Sequence, residues 1–170
     1  MADLRVNNPS ASDSLLESFA KKRIKKPAPV PANHWAQSAP WGNKGGGITL
    51  NEAHFTKDKL PKFWADLVRC ESVRWHPVNC GTLQALADHE IGHQLDDLLQ
   101  LRKDSDFILL HAKAKKAGDI KMGLSEYANK EPAEFIAEAW SEYTNHPNPR
   151  PYAKAIGEMI LQKYSQKFKK

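Results

Sequence analysis

The chain has 170 residues, of which 41% are hydrophobic and 26% are charged, and its formal net charge is +5. This length allows one domain of ordinary size with an appendage, but hardly two full domains. No apolar run approaches the roughly 20 residues that a membrane span requires, and the first residues lack the basic and apolar regions of a secretory signal. We therefore predict a globular, cytoplasmic protein. Its two cysteines, Cys70 and Cys80, cannot build a disulfide framework, and free thiols are favoured over a bridge.

Lysine and arginine are concentrated near the two ends of the sequence, in AKKRIKKPAP at 20–29 and in QKYSQKFKK at 162–170. The segment from Glu126 to Glu142 is acidic. Basic ends are typical of contact with nucleic acid, with an acidic partner or with an anionic surface. Solvated tails that aid solubility explain them equally well, so a nucleic-acid partner is an open alternative.

The chain divides near residue 45 into an N-terminal extension, residues 1–44, and a folded domain, residues 45–170. Much of the extension is rich in proline and glycine and has no hydrophobic period, which is typical of a linker. Trp35 and Trp41 are unusual in a linker, because exposed tryptophan normally packs on something. They either fold back on the domain or, as part of residues 27–47, dock on an assembly partner.

The spacing of apolar residues predicts a helix-dominated α+β domain with a short sheet. One strand is predicted at Ile48, Thr49 and Leu50, and a second at residues 72–78, ended by Pro77. The predicted helices, taken from apolar spacing and end signals, are 12–25 in the extension, a helix entered near Thr56 or Asp58 and reaching Val68, 82–101, 105–117 with Gly118 after its end, 129–143, and a last helix with Tyr152, Ala155, Ile156, Met159 and Ile160 on its inner stripe.

The predicted helix at 82–101 has an apolar stripe that we expect to face the core. The stripe consists of Leu83, Ala87, Ile91, Leu95 and Leu98. At about 100° per residue, His89 and His93 lie together on a different side of this helix.

These histidines belong to the sequence HEIGH, which has the HExxH pattern of zincin helices. Two imidazoles one turn apart can both reach one Zn²⁺ ion. Glu90, beside them but off the ligand axis, can take a proton from a water molecule on that metal. The alternative is a histidine pair on a half-buried helix edge, without a ligand.

A catalytic zinc site needs a third protein ligand and leaves one position open. The metzincin continuation of HExxH is excluded, because Asp96 and Leu99 stand where it requires glycine and histidine. Further along the chain, four glutamates follow one another along one helical face: Glu131, Glu134, Glu138 and Glu142.

Repulsion between these carboxylates disfavours the helix, and no lysine or arginine between residues 131 and 149 offsets it. A solvent-exposed acidic face would explain Glu131 and Glu142. It fits Glu134 and Glu138 poorly, because these two are interleaved with apolar residues. A cation held against another helix would compensate them, and the spacing leaves both as candidates for the third ligand.

The segments HEIGHQLDD and LSEYANKEPAEFIAEAWSEY together resemble the zincin-like metallopeptidase domain of anthrax lethal factor. They are also similar to related domains in phage head-morphogenesis and polyvalent proteins and in proline-specific secreted endopeptidases. The resemblance covers about residues 45–160 and is dense from 86 to 143. It implies the following roles: His89, His93 and Glu134 as Zn²⁺ ligands, Glu90 as general base, Tyr127 as the active-site tyrosine, and Glu138 as the partner of a ligand histidine's other N–H.

The same resemblance implies a substrate peptide that lies as an added strand along a sheet edge, for which Ile48 to Leu50 is the candidate. Asp96 and Asp97 also match, but without an assignable role, and exposed helix acids are the simpler interpretation. The extension matches nothing in the family.

The expected function is therefore a zinc-dependent endopeptidase that acts on a protein or peptide and is associated with a phage or a toxin. The alternative is a phage virion structural or morphogenesis protein with a zincin fold and no peptidase activity. In that case the chain would be incorporated in a phage particle rather than remain free in the host cytoplasm.

Overall fold

In a computed structural model of the chain, residues 30–39 and 47–169 are described. The elements of this part, in chain order, are β1 (Ala36–Ala39), β2 (Gly47–Leu50), α1 (Leu60–Ser72), α2 (Leu83–Leu99), α3 (Ser105–Ala117), α4 (Ile120–Gly123), α5 (Pro132–Asn145) and α6 (Pro151–Phe168). The expected helix-dominated α+β composition is confirmed. The helix predicted at 12–25 and Trp41 lie outside the described residues. Across the described ranges, no helix combines the length and apolar character that crossing a membrane requires.

Two helix ends follow directly from the local sequence. The Thr82 side chain accepts a hydrogen bond from the backbone N–H of Ala85 at 3.0 Å and so caps the start of α2. Helix α3 ends at Gly118, whose φ of 70° lies in the left-handed region that favours glycine. Both ends agree with the predictions.

The sheet consists of β1 and β2, which pair antiparallel with Ala36 opposite Leu50 and Ala39 opposite Gly47. The linker interpretation is wrong for β1. Residues before β1 are anchored because the Trp35 ring packs edge-on against Phe63, with centroids 5.3 Å apart. Trp35 therefore folds back on the domain. The wider division into an extension and a domain near residue 45 stays a prediction.

Residues 72–78 do not form the predicted strand. The chain turns back after α1, and the backbone N–H groups of Trp75 and His76 both donate to the carbonyl of Cys70, at 2.8 and 3.2 Å. The carbonyl of Trp75 then accepts from the N–H of Tyr127 at 3.1 Å. The β-prone composition was thus overridden by a turn, and this turn positions Tyr127.

Helix α5 lies at the centre of the domain, with α2 and α6 packed against it. The main core is apolar and lies between α5, α6 and the segment from the end of α2 to Ala128. Its largest buried side chains are Leu101, Phe107, Ile120, Leu124, Phe135, Ile136, Ile156 and Ile160. Cys70 and Cys80 are buried free thiols.

The expected orientation of α2 is wrong for part of its apolar stripe: Leu83 and Leu95 pack against the hydrophobic clusters, but the other large residues do not. Ile91 and Leu98, on its apolar stripe, are exposed. The buried residues of α2 are instead mostly polar, and they include Asp88, His89, Glu90, Gln94 and Asp96. Helical periodicity places the most apolar side inward, and α2 departs from this because most of these polar side chains have partners in the fold: Asp88 and His89 on α5, Gln94 on β1, and Asp96 at Arg102.

Candidate metal centre

Helices α2 and α5 bring the candidate ligands together at a close approach of their backbones. A Cβ added to Gly92 would lie 2.7 Å from the Cα of Ala137, so a side chain at this position would force the helices apart. The glycine inside HEIGH therefore lets the helix that carries His89 and His93 lie directly on the helix that carries Glu134.

The three predicted ligands meet at one point. The Nε2 atoms of His89 and His93 lie 3.1 Å and 3.4 Å from the same oxygen, Oε2 of Glu134. One ligand atom from each of the three residues lies within 4.8 Å of the other two. The structure thus brings together the residues that HExxH and the glutamate series indicated.

This donor set fits a divalent cation. Within the described residues, no hydrogen bond of acceptable geometry reaches the buried Oε2 of Glu134, although two ring nitrogens lie close to it. A buried carboxylate oxygen without a partner is costly. Two imidazole nitrogens and one carboxylate oxygen are a ligand set that catalytic zinc sites use. The arrangement could therefore hold a metal ion.

Glu138 lies behind His89 rather than among the converging donors. Its side chain is buried, and Oε1 lies 2.7 Å from Nδ1 of His89. The Ser125 hydroxyl donates to Oε2 at 2.8 Å. The two glutamates that spacing could not separate thus contact opposite ring nitrogens of His89.

The carboxylates favour positive charge at this point of the protein. Burial by itself would lower the pKa of His89, but Glu134 and Glu138 raise it to about 10. Burial would raise the pKa of Glu134, but the neighbouring His89 and His93 hold it well below its usual range. Either a proton or a cation between these groups satisfies the same electrostatic requirement.

Glu90 and Tyr127 border the donors. Glu90 is buried, and its Oε2 has no hydrogen-bond partner within the described part of the chain. Burial raises the pKa of Glu90. The Tyr127 ring lies 5.9 Å from the His89 ring, centroid to centroid, and burial raises the pKa of its hydroxyl, which therefore stays protonated. The pair supplies one proton acceptor and one proton donor.

Two open cavities, of about 270 and about 310 Å³, meet at this site. Both are bordered by His34, Ala36, His89, Glu90 and Tyr127. The first is bordered by the aromatic rings of Trp35, Trp75 and Tyr127, and the second reaches the carboxylates of Asp96, Asp97 and Glu134. A ligand that extends through both cavities would pass the candidate metal centre.

Strand β1, and not β2, lies beside the site. Ala36, Gln37 and Ser38 border the cavities, whereas Ile48, Thr49 and Leu50 border neither. The sequence indicated β2 because β1 lies in a segment rich in proline and glycine, a composition that does not indicate a strand.

Asp96 and Asp97 both contact Arg102 at the C-terminal end of α2. Asp96 is 1% exposed, so the exposed-acid interpretation is wrong for it. It accepts a hydrogen bond from the backbone N–H of Arg102 at 3.1 Å and pairs with the Arg102 side chain. Asp97 pairs with the same guanidinium at 3.0 Å. Arg102 thus fixes the turn after α2.

Sequence reasoning missed His76. Its Nδ1 lies 3.2 Å from Oε1 of Glu138, the same oxygen that faces His89. The signal was present in Trp75-His76-Pro77, where a proline limits strand formation, but the β-prone residues around it dominated the interpretation.

No protein-family model, curated protein or solved structure matches this chain.

Proposed function

We propose that the chain is a zinc-dependent endopeptidase of the zincin type, with His89, His93 and Glu134 as the metal ligands. The observation that carries the proposal is the convergence of these three donors beside Glu90, a buried carboxylate whose Oε2 has no partner within the described residues. If Glu134 and the two histidines formed only a structural ion pair, a second carboxylate without a partner would not be expected beside them at the edge of two cavities.

Zinc bound by the three ligands would act as a Lewis acid that polarises a carbonyl oxygen and acidifies a water molecule. Glu90 accepts a proton from a water molecule as the oxygen of that water attacks the carbonyl carbon of the peptide bond. It then delivers the proton to the amine nitrogen as the carbon–nitrogen bond breaks. Burial raises the pKa of Glu90, which makes its carboxylate a stronger proton acceptor than a carboxylate in water.

Tyr127 donates a hydrogen bond to the carbonyl oxygen as negative charge develops on it. Two features support this role: its high pKa keeps the hydroxyl protonated, and its ring lies against His89. Its position is fixed by the backbone hydrogen bond to Trp75 described above.

A substrate backbone would pair with β1. The N–H of Asn51 donates to the carbonyl of Trp35 at 2.9 Å, just before the ladder that pairs Ala36 with Leu50. Hydrogen-bonded pairs alternate along an antiparallel ladder, so the backbone groups of Ala36 and Ser38 point away from β2. They are available to an added peptide strand that runs past Glu90.

The resemblance to lethal factor and to phage head-morphogenesis domains supports a role in a phage particle or as a toxin inside a host cell. The substrate in either setting would be a protein or peptide.

The test compares the wild type with Glu90→Gln. Glu90 would contact the water and not the metal, so the variant should keep stoichiometric zinc by native mass spectrometry and a near-normal melting temperature. It should lose nearly all cleavage of a peptide library, because the amide cannot accept the proton. A wild type that binds zinc and cleaves no peptide would instead support the phage structural protein.

A further inference from the structure

His76 is held rigidly behind the candidate metal centre. Its backbone N–H donates to the carbonyl of Cys70 at 3.2 Å, in the turn after α1. Its ring packs beside Trp35 and Tyr127, with centroid distances of 5.8 and 5.9 Å. The imidazole is therefore fixed by contacts with three separate parts of the chain, and Nδ1 faces Glu138.

Glu138 needs the donors that surround it. Its side chain is 1% exposed, and a buried carboxylate is stable only when its oxygens are paired. Ser125 donates to Oε2, while Oε1 is hydrogen-bonded to Nδ1 of His76 and lies 2.7 Å from Nδ1 of His89. Within the described residues the ion pairs of Glu138 involve these two histidines and no lysine or arginine.

Metal binding changes what His89 can offer to Glu138. A metal-bound imidazole is neutral, so its remaining Nδ1–H is its single contribution to the carboxylate. The other donor to Oε1 must then come from His76. Without it, Glu138 would lose the donor that holds its carboxylate oriented toward His89.

We infer that His76 is a positioning residue of the metal centre, which acts through Glu138 to fix the ring of His89. The inference rests on the proposed function only in that His89 is taken as a metal ligand. It extends the site from the HExxH helix and α5 to the turn after α1.

Two variants separate this role from packing. His76→Phe keeps an aromatic ring between Trp35 and Tyr127 but removes the donor to Glu138. His76→Asn removes the ring but places an amide N–H near the position of Nδ1. A packing role would be preserved by phenylalanine and lost with asparagine, whereas a positioning role would show the opposite order.

The experiment measures the zinc dissociation constant of the full-length protein by competition with a chromophoric chelator, together with the melting temperature of the metal-free protein. Partners of ligand histidines typically contribute about tenfold to a hundredfold to metal affinity. His76→Phe should lose zinc affinity by that factor, His76→Asn should stay within a few-fold of the wild type, and Glu138→Gln should weaken binding as His76→Phe does.

Equal zinc affinity in the wild type and His76→Phe, or a greater loss in His76→Asn, would overturn the inference. Both outcomes are independent of peptidase activity, so a protein that binds zinc but cleaves nothing still tests His76. A wild type without zinc affinity would overturn this inference and the proposed function together. If His76→Phe does not fold, the zinc affinities of the other variants decide instead. His76→Asn should bind zinc within a few-fold of the wild type and Glu138→Gln should bind it more weakly, and the reverse order would overturn the inference.

Discussion

Helix α5 carries two buried carboxylate centres that are completed in different ways. At one of them, Glu142 is fully buried and receives the Arg150 guanidinium, with Nε at 2.9 Å from Oε1 and Nη2 at 2.6 Å from Oε2. The backbone N–H of Arg150 also donates to Oε1 at 2.8 Å. The chain itself supplies the cation for this carboxylate.

The other centre lies two turns earlier and has no such cation. Glu134 faces two histidine nitrogens, and within the described residues its ion pairs involve neither lysine nor arginine. Paired carboxylates with a cation from the chain complete a fold, whereas converging donors without one are suited to a ligand. The difference between Glu142 and Glu134 therefore adds to the convergence of donors as support for the proposal that Glu134 is a metal ligand.

The largest expected effect comes from Glu134→Ala. Loss of a residue that contacts a ligand histidine, rather than the metal, typically weakens metal binding tenfold to hundredfold, which is about 1.4 to 2.7 kcal/mol. Removal of Glu134, a proposed ligand itself, should reduce zinc affinity by more than that. Added zinc should raise the melting temperature of the wild type but not of this variant. The matched control is Glu131→Ala, since Glu131 is exposed immediately before the same helix and its loss should leave zinc affinity unchanged. Stoichiometric zinc in Glu134→Ala would remove the distinction between the two centres.

The second-largest effect is expected when Glu142 loses its cation. Arg150→Met leaves a buried carboxylate without its cation, and loss of one partner from such a pair costs about 3 kcal/mol or more in the free energy of unfolding. Urea denaturation of the metal-free protein measures this loss. Zinc affinity of the folded variant should stay near that of the wild type. A double variant, Arg150→Met with Glu142→Leu, should recover part of the stability, because no unpaired charge remains.

The contrast also explains what could be predicted from the sequence. The start of α2 and the end of α3 follow from local signals, a cap and a glycine. Helical spacing indicated a cation between HEIGH and the glutamates but left Glu134 and Glu138 both open, and only the family resemblance selected Glu134. The solvent-facing interpretation of Glu142 is wrong, because Arg150, one residue beyond the segment 131–149 that lacks lysine and arginine, pairs with its buried carboxylate. A count of charged residues within one helix does not include a partner from the loop that follows it.

The errors at β1, at residues 72–78 and on α2 have a related cause. Each involves a tertiary contact that overrides the local pattern. Trp35 and Asn51 anchor a segment whose composition is that of a linker; the Asn51 side chain donates to the carbonyl of His34 at 2.9 Å. Polar residues of α2 are buried where the fold supplies partners, as Glu134 and Glu138 do for its histidines. Periodicity alone contains no information about such partners.

A third and smaller effect should follow from Gly92→Ala, which acts at the approach of α2 to α5. The added methyl would meet the Ala137 backbone, which cannot move aside as a flexible side chain would. Overpacking of this kind typically costs about 1–3 kcal/mol. Because the strain separates His89 and His93 from Glu134, zinc affinity should fall as well. Gly118→Ala, at a position with nothing within 4 Å, strains only its own backbone and should leave zinc affinity unchanged.

The smallest effect concerns a third carboxylate, Asp104, which sharpens the comparison because both side chains of its ion pair with Lys163 are partly exposed, whereas Glu142 is fully buried. Asp104 also caps α3, where Oδ1 accepts the backbone N–H groups of Asp106 and Phe107 at 3.0 and 3.3 Å. Asp104→Asn keeps a capping oxygen but removes the charge, so it isolates the ion pair from the cap. The loss in unfolding free energy at pH 7 should stay below about 1 kcal/mol.

This small contribution should depend on pH in a defined direction. The hydrogen bond from Lys163 holds the pKa of Asp104 below its usual value, so the folded protein binds fewer protons here than the unfolded chain. The stabilisation is therefore fully present above about pH 4, the unfolded pKa, and is lost as the pH falls through the lower folded pKa. Urea denaturation at pH 7, 5 and 3 should show a constant difference between wild type and Asp104→Asn at the first two values and a smaller one at the third. A difference at pH 7 as large as that of Arg150→Met would show that accessibility to water does not separate this pair from the one at Glu142.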